Sequence, residues 1–285
     1  MNWRNKTVRV CPGLSLDYVE QGDPKGMPLV LLHGYTDSWR SFEPLLRALP
    51  KSVRAIAFSQ RGHGDSDKPL SSYNIAALAS DAAAVLETLG IDHAVVAGHC
   101  MGSRVAQRLA LERPQQVAGL VLIGAFRTLQ GNAGAQALWH DAVAAMADPV
   151  DPAFVSAFPK ETLARAVPQS FFDTVIAESL KVPARVWREL LAGMVKGDRG
   201  EDIGRIRVPT LILWGDQDRL CGREEQSGLA AAIPGSRLLV YADAGHAPHW
   251  EEPDRAAADI AEFITGLAGN PSQSLMLLRR INSAA

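Results

Sequence analysis

Short apolar runs alternate along this chain with longer amphipathic segments of helical character. The runs that follow residue 27 are apolar along most of their length, which is typical of strands buried on both faces of a parallel sheet. The alternation therefore predicts an α/β fold, a mostly parallel sheet with helices on both faces. Two further segments flank Pro12-Gly13 and predict an opening hairpin. The eight predicted strands are residues 8–10, 14–20, 28–33, 53–58, 94–97, 119–123, 209–214 and 237–241.

One long segment interrupts the alternation of strands and helices. Helices are predicted over residues 41–49, 74–89, 101–113, 224–233 and 253–267. Residues 128–204 contain no convincing strand but many large apolar side chains, which predicts a helical insertion over the sheet. The predicted division is a core of residues 1–127 and 205–268, the insertion, and a C-terminal extension of residues 269–285.

The large apolar side chains of the predicted insertion have two possible uses. Most of them are expected to pack the insertion against the sheet, and the others to line a substrate cavity. Trp139, Phe158 and Trp187 are the candidate pocket residues.

Charge and hydropathy exclude several classes of protein. Lys and Arg number 29 against 31 Asp and Glu, a net charge of −2, and no run of like charge is long enough for a nucleic-acid-binding arm. The longest apolar runs are far shorter than the roughly 18 residues of a membrane span. The N-terminus lacks the apolar segment of a secretory signal. We therefore predict a cytoplasmic monomer or homodimer that binds neither nucleic acid nor membrane.

One of the three cysteines occupies a position typical of a catalytic nucleophile. Gly98-His99-Cys100-Met101-Gly102 lies where a predicted strand gives way to a predicted helix, the location of a nucleophile elbow. Glycines on both sides of such a turn allow strand and helix to approach closely. The helix N-terminus offers the Met101 N–H to an oxyanion and favours a thiolate at Cys100. The alternative for Cys100 is a buried core thiol in an ordinary strand-to-helix turn.

Candidates for an acid and a base follow in the chain order of a hydrolase triad. Asp216 and Asp218 close a predicted strand, and His246 follows the next strand. In such a triad His246 takes the proton of Cys100, and the acid holds the imidazole in the required tautomer. His246 and His249 are three residues apart without a carboxylate at ligand spacing, and no phosphate-loop motif is present. We therefore predict no metal and no cofactor.

These motifs resemble those of the α/β-hydrolase-fold family, in the esterase, lactonase and proline-iminopeptidase-like branch with a helical cap. Two loop motifs complete the set, His33-Gly34-Tyr35-Thr36-Asp37-Ser38 and Gln60-Arg61-Gly62-His63-Gly64-Asp65-Ser66. The resemblance extends over roughly residues 14–267 and implies that residues 128–204 form the cap.

The resemblance also implies roles for individual residues. It implies a catalytic triad of Cys100, Asp218 and His246, and its Gly-x-x-Asp pattern favours Asp218 over Asp216 as the acid. The oxyanion hole would be formed by the backbone N–H groups of Tyr35 and Met101. The chain departs from the family at the elbow, where serine is usual and cysteine stands here, as in the dienelactone-hydrolase-like branch. It also departs after the acid, where the sequence is Arg219-Leu220-Cys221-Gly222 and a proline is common in the family.

The leading hypothesis is an acyl hydrolase that cleaves a small or medium carboxylic ester, lactone or thioester through an acyl-enzyme on Cys100. An acyltransferase could use the same intermediate, since an alcohol or amine can replace water as the acceptor. A carbon–carbon bond hydrolase and a non-catalytic ligand-binding protein of the same fold are further alternatives. The expected partner is a small-molecule acyl substrate.

Overall fold

Eight strands form one sheet in the computed structural model, which describes residues 3–197 and 203–268. They are β1 (Lys6–Cys11), β2 (Leu14–Gln21), β3 (Pro28–Leu32), β4 (Arg54–Phe58), β5 (Ala94–His99), β6 (Val117–Ile123), β7 (Thr210–Gly215) and β8 (Arg237–Tyr241). Their order across the sheet is β1-β2-β4-β3-β5-β6-β7-β8. β2 pairs antiparallel with β1 and β4, and the other neighbours are parallel. The predicted fold class and all eight predicted strands are confirmed.

Successive residues of the central strands point to opposite faces of the sheet and fill two separate apolar layers. In β3, Val30 and Leu32 belong to one layer, whereas Leu29 and Leu31 belong to the other. All six residues of β5 are buried, as expected of a strand covered on both faces. The continuous apolar runs of the sequence therefore arise from burial on both sides.

Helices cover each apolar layer. Leu78, Val105 and Leu229 bring three helices onto the first layer, and Leu45 and Ile260 bring two onto the second. The helices of the first layer are α2 (Ile75–Thr88), α3 (Met101–Glu112) and α8 (Arg223–Ala232). Those of the second layer are α1 (Glu43–Ala48) and α10 (Pro253–Ala268). The five helices predicted from the sequence are confirmed in these positions.

The chain between β6 and β7 is mainly helical. It contains α4 (Ala133–Leu138), α5 (Pro152–Lys160), α6 (Gln169–Ser179) and α7 (Ala184–Ala192), with π-helical turns at Trp139–Val143 and Gly193–Gly197. We call α4 to α7 and these two turns the inserted helices. Their buried side chains Val155, Val186 and Leu190 join the apolar layer of α2 and α3. No strand interrupts them over the described residues 128–197.

Two sequence-based predictions concern the ends and surroundings of the chain. The predicted C-terminal extension, residues 269–285, lies outside the described residues. Within the described part, no helix is long and apolar enough to cross a membrane.

A short helix, α9 (Pro248–Glu251), follows β8 and precedes α10. It lies directly after His246, at the carboxyl edge of the sheet where ligands of α/β proteins usually bind.

Candidate active site

Cys100 occupies the sharp turn between β5 and α3. Its backbone has φ 50° and ψ −116°, a conformation that is strained for a residue with a side chain. A Cβ atom on Gly98 would lie 2.1 Å from the carbonyl oxygen of Gly102, and one on Gly102 would lie 2.1 Å from that of Leu32. The prediction that the flanking glycines permit close approach is therefore confirmed. The turn is tied to the sheet by the Cys100 N–H, which donates to the Ile123 carbonyl oxygen at 3.0 Å.

A hydrogen bond joins His246, beyond β8, to Asp218, beyond β7. Nδ1 of His246 donates to Oδ2 of Asp218 at 2.8 Å, and both side chains are buried. Oδ1 of the same carboxylate accepts the backbone N–H groups of Leu220 at 2.8 Å and Cys221 at 3.0 Å. Nε2 of His246 has no hydrogen-bond partner among the described residues, and Cys100 is near enough to the same imidazole to raise its pKa. Cys100, His246 and Asp218 are thus brought together in the order of a triad.

The electrostatics of the pair suit proton transfer. Burial alone would lower the pKa of His246, but the charge of Asp218 and the neighbouring Cys100 raise it well above its ordinary value. Burial alone would raise the pKa of Asp218, but the charge and hydrogen bond of His246 hold it below its ordinary value. Asp218 therefore stays ionised and strengthens the imidazole as a proton acceptor.

Asp216, the competing acid, has a different role. Its Oδ1 accepts the backbone N–H of Asp243 at 2.8 Å and the side-chain amide of Gln217 at 3.0 Å. Asp216 is half-buried and forms no hydrogen bond to His246 in the described structure. Its position is that of a residue that stabilises the loop between β7 and α8.

The two predicted oxyanion-hole residues belong to different parts of the site. Met101 is the first residue of α3, so its N–H has no acceptor within the helix. Tyr35 follows β3 and lines the same cavity as Cys100 and His246. The Tyr35 hydroxyl donates to the Trp187 carbonyl oxygen at 2.6 Å, which holds the phenol against the inserted helices.

A cavity of about 550 Å³ opens above Cys100 and His246. Its wall is mainly apolar, with a few polar side chains that include Asn132, Glu161, Thr162 and Arg219. The apolar part of the wall comes from Phe126, Leu129, Ala135, Leu138, Phe158, Leu191, Met194 and Leu220. Most of these residues belong to the inserted helices or to the loops beside them.

The three predicted pocket residues have different positions. Phe158 lines the cavity. Trp187 is fully buried behind the wall, where its ring contacts Tyr35 at 5.3 Å and Phe158 at 6.0 Å between centroids. Trp139 lies outside the cavity wall, with the ammonium of Lys196 4.4 Å from its ring centroid. The two tryptophans therefore support the inserted helices instead of touching the cavity.

Comparison with known proteins decides the family. A family model described as alpha/beta hydrolase fold matches residues 27–253. The chain belongs to this family. The resemblance predicted from the motifs is thereby confirmed, and the protein is an α/β-fold hydrolase.

Individual relatives agree over most of the chain. The AB hydrolase superfamily protein YisY of Bacillus subtilis (strain 168) is 30% identical over 252 residues, which cover 84% of this chain and 91% of that protein. The esterase RhEst1 from Rhodococcus sp. ECU1013 is 28% identical with a TM-score of 0.75, covering 94% of this chain and 100% of that one. The esterase EaEST from Exiguobacterium antarcticum reaches a TM-score of 0.82 at 23% identity, over 92% and 100% of the two chains, and shows the fold.

A second thiol, not identified from the sequence, lies at the site of this hydrolase. Cys221 is buried, lines the cavity and lies beside His246 and Asp218. Burial raises the pKa of its thiol to about 12. The only sequence signal was its place three residues after the acid, where its backbone N–H reaches the carboxylate.

A buried cluster of ionisable groups behind His246 was also missed. Nε2 of His99 lies 3.2 Å from the carbonyl oxygen of His246, and Nδ1 of His99 lies 3.9 Å from Oδ2 of Asp37. The ring of His249 is 4.5 Å from that of His99 between centroids. Burial lowers the pKa of His99 to about 3 and raises that of Asp37 to about 7. His99 and Asp37 are therefore neutral over a wider pH range than usual. His99 contacts the backbone of His246 at the hydrolase site.

Glu251 links the loop of His246 to the inserted helices. Its carboxylate accepts the backbone N–H groups of Gly245 at 2.9 Å, Arg165 at 2.7 Å and Ala164 at 3.3 Å. The N–H of His246 itself donates to the Thr162 carbonyl oxygen at 2.9 Å. The position of the imidazole in this hydrolase is thus coupled to the segment that follows α5.

Proposed function

We propose that this protein hydrolyses carboxylic esters, thioesters or lactones through a covalent acyl-enzyme on Cys100. The observation that carries the proposal is the hydrogen bond between His246 and Asp218 beside a cysteine on a strained strand-to-helix turn. A nucleophile, a base within reach of it and a third group that orients the base form the minimal set for nucleophilic acyl transfer.

The first half of the reaction acylates the enzyme. His246 accepts the proton of Cys100 at Nε2, and the sulfur attacks the carbonyl carbon of the substrate. The N–H groups of Tyr35 and Met101 stabilise the negative charge that develops on the carbonyl oxygen. The intermediate then expels the alcohol or thiol, which takes its proton from His246.

The second half releases the acid. Water enters the cavity and gives a proton to His246 as it attacks the thioester carbonyl. The sulfur of Cys100 leaves and recovers the proton from the imidazolium. Asp218 keeps the Nδ1–H bond throughout and stabilises the positive charge of the imidazole.

The cavity supports a substrate with an apolar group of small to medium size. A volume of about 550 Å³ is within the range of small-molecule sites, and its wall is mainly apolar. The structural neighbour RhEst1, 28% identical to this chain, is an esterase, which agrees with this substrate class. We propose that the segment 128–204 acts as a cap, because Leu138, Phe158, Leu191 and Met194 form part of the cavity wall.

The proposal is tested with a panel of aryl esters, aryl thioesters and lactones that carry straight and branched acyl groups. We expect release of free acid without any added acceptor, which separates hydrolysis from acyl transfer. Cys100→Ala and His246→Ala should lower kcat by a factor of at least about 10³. Cys11→Ser is the matched control, since Cys11 is exposed on β1. A protein that binds these compounds without turning them over would refute the proposed function.

A further inference from the structure

A second cavity, of about 400 Å³, adjoins the cavity above Cys100. Its walls come from the segment after β6, the segment after β7 and the first turn of α8. Some residues line both cavities, and we call them the partition. The partition consists of Phe126, Leu129, Asn132, Leu220 and Cys221. The reaction proposed above takes place in the first cavity and does not use the second.

The surface of the partition is mainly apolar. Phe126 and Cys221 are buried, and Leu129 and Leu220 are half-buried. Burial raises the pKa of the Cys221 thiol to about 12, so this side chain presents a neutral sulfur. Asn132 contributes the one amide among the five residues. A group that extends from one cavity into the other therefore contacts a mainly apolar surface, which favours a hydrocarbon chain.

A single long hydrogen bond joins the two sides of the partition at Asn132. Its Nδ2 donates to the Leu220 carbonyl oxygen at 3.4 Å, and its Oδ1 accepts the N–H of Ala135 at 2.9 Å, which caps α4. Movement of the Leu220 loop away from Asn132 breaks the longer, weaker bond and leaves the cap of α4 in place. The partition can therefore open without loss of the helix beside it.

The wall of the second cavity beyond the partition is polar. Arg223 and Glu225 are held in place there. The guanidinium of Arg223 lies 4.9 Å from the ring centroid of Trp214, and Oε1 of Glu225 accepts the Arg127 N–H at 2.5 Å. Such a wall suits a group that forms hydrogen bonds better than it suits a methyl group. The polar residues that line only this cavity are Thr128, Arg223, Glu224 and Glu225.

We propose that the two cavities together bind one elongated substrate, an unbranched apolar chain that crosses the partition and ends in a hydroxyl group near Arg223 and Glu225. This inference rests on the proposed function, because the chain is attached to the ester or thioester carbonyl that Cys100 attacks. The chain belongs either to the acyl group or to the alcohol, and two series of compounds distinguish these sources. Such a substrate is longer than the first cavity alone would select.

Hydrolysis is measured as kcat/KM in two series of esters. One series lengthens the acyl group from butanoyl to tetradecanoyl on a constant aryl leaving group, and the other lengthens the alcohol on a constant acetyl group. We expect kcat/KM to rise with chain length in one series. In that series an ω-hydroxyl should raise kcat/KM at least about threefold over the methyl-ended chain of equal length. No gain with length in either series would overturn the inference.

Gly222→Phe tests the second cavity directly. Gly222 lines only this cavity, its φ is −71°, and a Cβ atom there would meet no atom within 4 Å. A phenyl ring should therefore fill the space and lower the ratio of kcat/KM for the longest and shortest chains at least about tenfold. Gly222→Leu provides a second test if the phenylalanine variant is unstable.

The matched control is Gly228→Phe. Gly228 is exposed on α8, lines neither cavity and would also carry a Cβ atom without contacts within 4 Å. The ratio for long and short chains should match that of the unaltered protein. Equal ratios in Gly222→Phe and Gly228→Phe would overturn the inference.

Binding is measured separately from hydrolysis by calorimetry on Cys100→Ala, with ω-hydroxydodecanoic acid and dodecanediol as the probes for the two sources. We expect one molecule of one probe per chain, bound at least about tenfold more weakly when Gly222→Phe is added. Binding that Gly222→Phe leaves unchanged would overturn the inference. Binding with the expected dependence on Gly222, in a protein that hydrolyses none of the esters, would support the two-cavity site and refute the proposed function.

Discussion

The proposed acid differs from its competitor in one hydrogen bond. Asp218 holds Nδ1 of His246, whereas Asp216 accepts the Asp243 N–H in the neighbouring loop. We predict that Asp218→Asn lowers kcat by orders of magnitude, because an amide can stabilise the wrong imidazole tautomer, and that Asp216→Asn has a small effect. The pKa of His246, measured by NMR titration of its ring, should fall in Asp218→Asn since a charge that raises it is lost.

The alternative outcomes of this pair of variants are distinct. A large loss in Asp216→Asn with a small one in Asp218→Asn would assign the acid to Asp216. Small and equal losses in both variants would contradict the triad. Circular dichroism of both proteins serves as the control for folding.

The sulfur of Cys100 affects the choice of leaving group. A thiolate leaves a tetrahedral intermediate more easily than an alkoxide does, so on an alkyl ester the intermediate mostly returns to substrate. We therefore predict a preference for thioesters, aryl or enol esters and strained lactones, and a shift toward alkyl esters in Cys100→Ser. The measurement is the ratio of kcat/KM for a matched thioester and alkyl ester in both proteins. An unchanged ratio would show that the cavity wall sets the substrate class.

At the scale of elements, the Glu251 carboxylate connects α9 to the loop of His246 and to the segment after α5. We predict that Glu251→Ala lowers the free energy of unfolding by about 1 to 3 kcal/mol, because backbone N–H groups lose their acceptor. It should also reduce kcat, because the loop that carries His246 loses the hydrogen bond from the Gly245 N–H to the Glu251 carboxylate. Denaturant unfolding and steady-state kinetics measure the two effects.

The control for this variant is Glu262→Ala on α10. Glu262 is exposed and forms only a 3.4 Å ion pair with Arg237 among the described contacts, so the change in stability should stay within about 0.5 kcal/mol. Equal effects of the two substitutions would contradict the role given to Glu251. Glu251→Gln keeps one carbonyl oxygen and should have an intermediate effect.

Strands and helices could be predicted from the sequence because their pattern is local. The central strands are buried on both faces, so β3 and β5 appear as continuous apolar runs that end at the loops of the site. The cavity wall could not be predicted in the same way. Phe158 and Trp187 both come from apolar helical segments, and only the packing of α5 against α7 determines which ring faces the cavity.

Motifs of the sequence indicate the proposed nucleophile and base, whereas their neighbours carry no motif. Gly98 and Gly102 identify the elbow because close backbone contacts exclude any side chain there. Cys221, by contrast, has no motif, and its contact with His246 depends on how two loops from different strands meet. The oligomeric state, the cytoplasmic location and the absence of a nucleic-acid partner stay predictions from composition.

At the scale of the whole molecule, the titration of Asp37 makes the free energy of unfolding depend on pH. Burial raises the pKa of Asp37 to about 7 from an ordinary value of 3.8. Between these values the folded chain holds a proton that the unfolded chain has released, so this group makes the fold less stable as pH rises through the window. We predict that Asp37→Asn becomes more stable relative to the unaltered chain between about pH 4 and 7, by up to about 4 kcal/mol.

The measurement is urea unfolding of both proteins at several values of pH. Buried histidines such as His99 have lowered pKa values and act in the opposite direction. The unfolded chain binds protons at these groups more readily, so they lower the free energy of unfolding as pH falls. Both proteins share those histidines, so the difference between the two curves contains the titration of Asp37 together with its interactions with His99 and His246. Parallel curves would contradict the prediction.

The strand that precedes the candidate base is the last in the sheet. β8 pairs only with β7 among the described strands, and four of its five residues are half-buried or exposed. Edge elements open at a lower free energy than the centre of a sheet, so β8 can separate while β3, β5 and β6 stay intact. Opening of β8 would carry His246 away from Cys100. Activity in dilute denaturant should therefore disappear before the core unfolds. Its loss would reflect local opening of the β8 edge and not global unfolding of the chain.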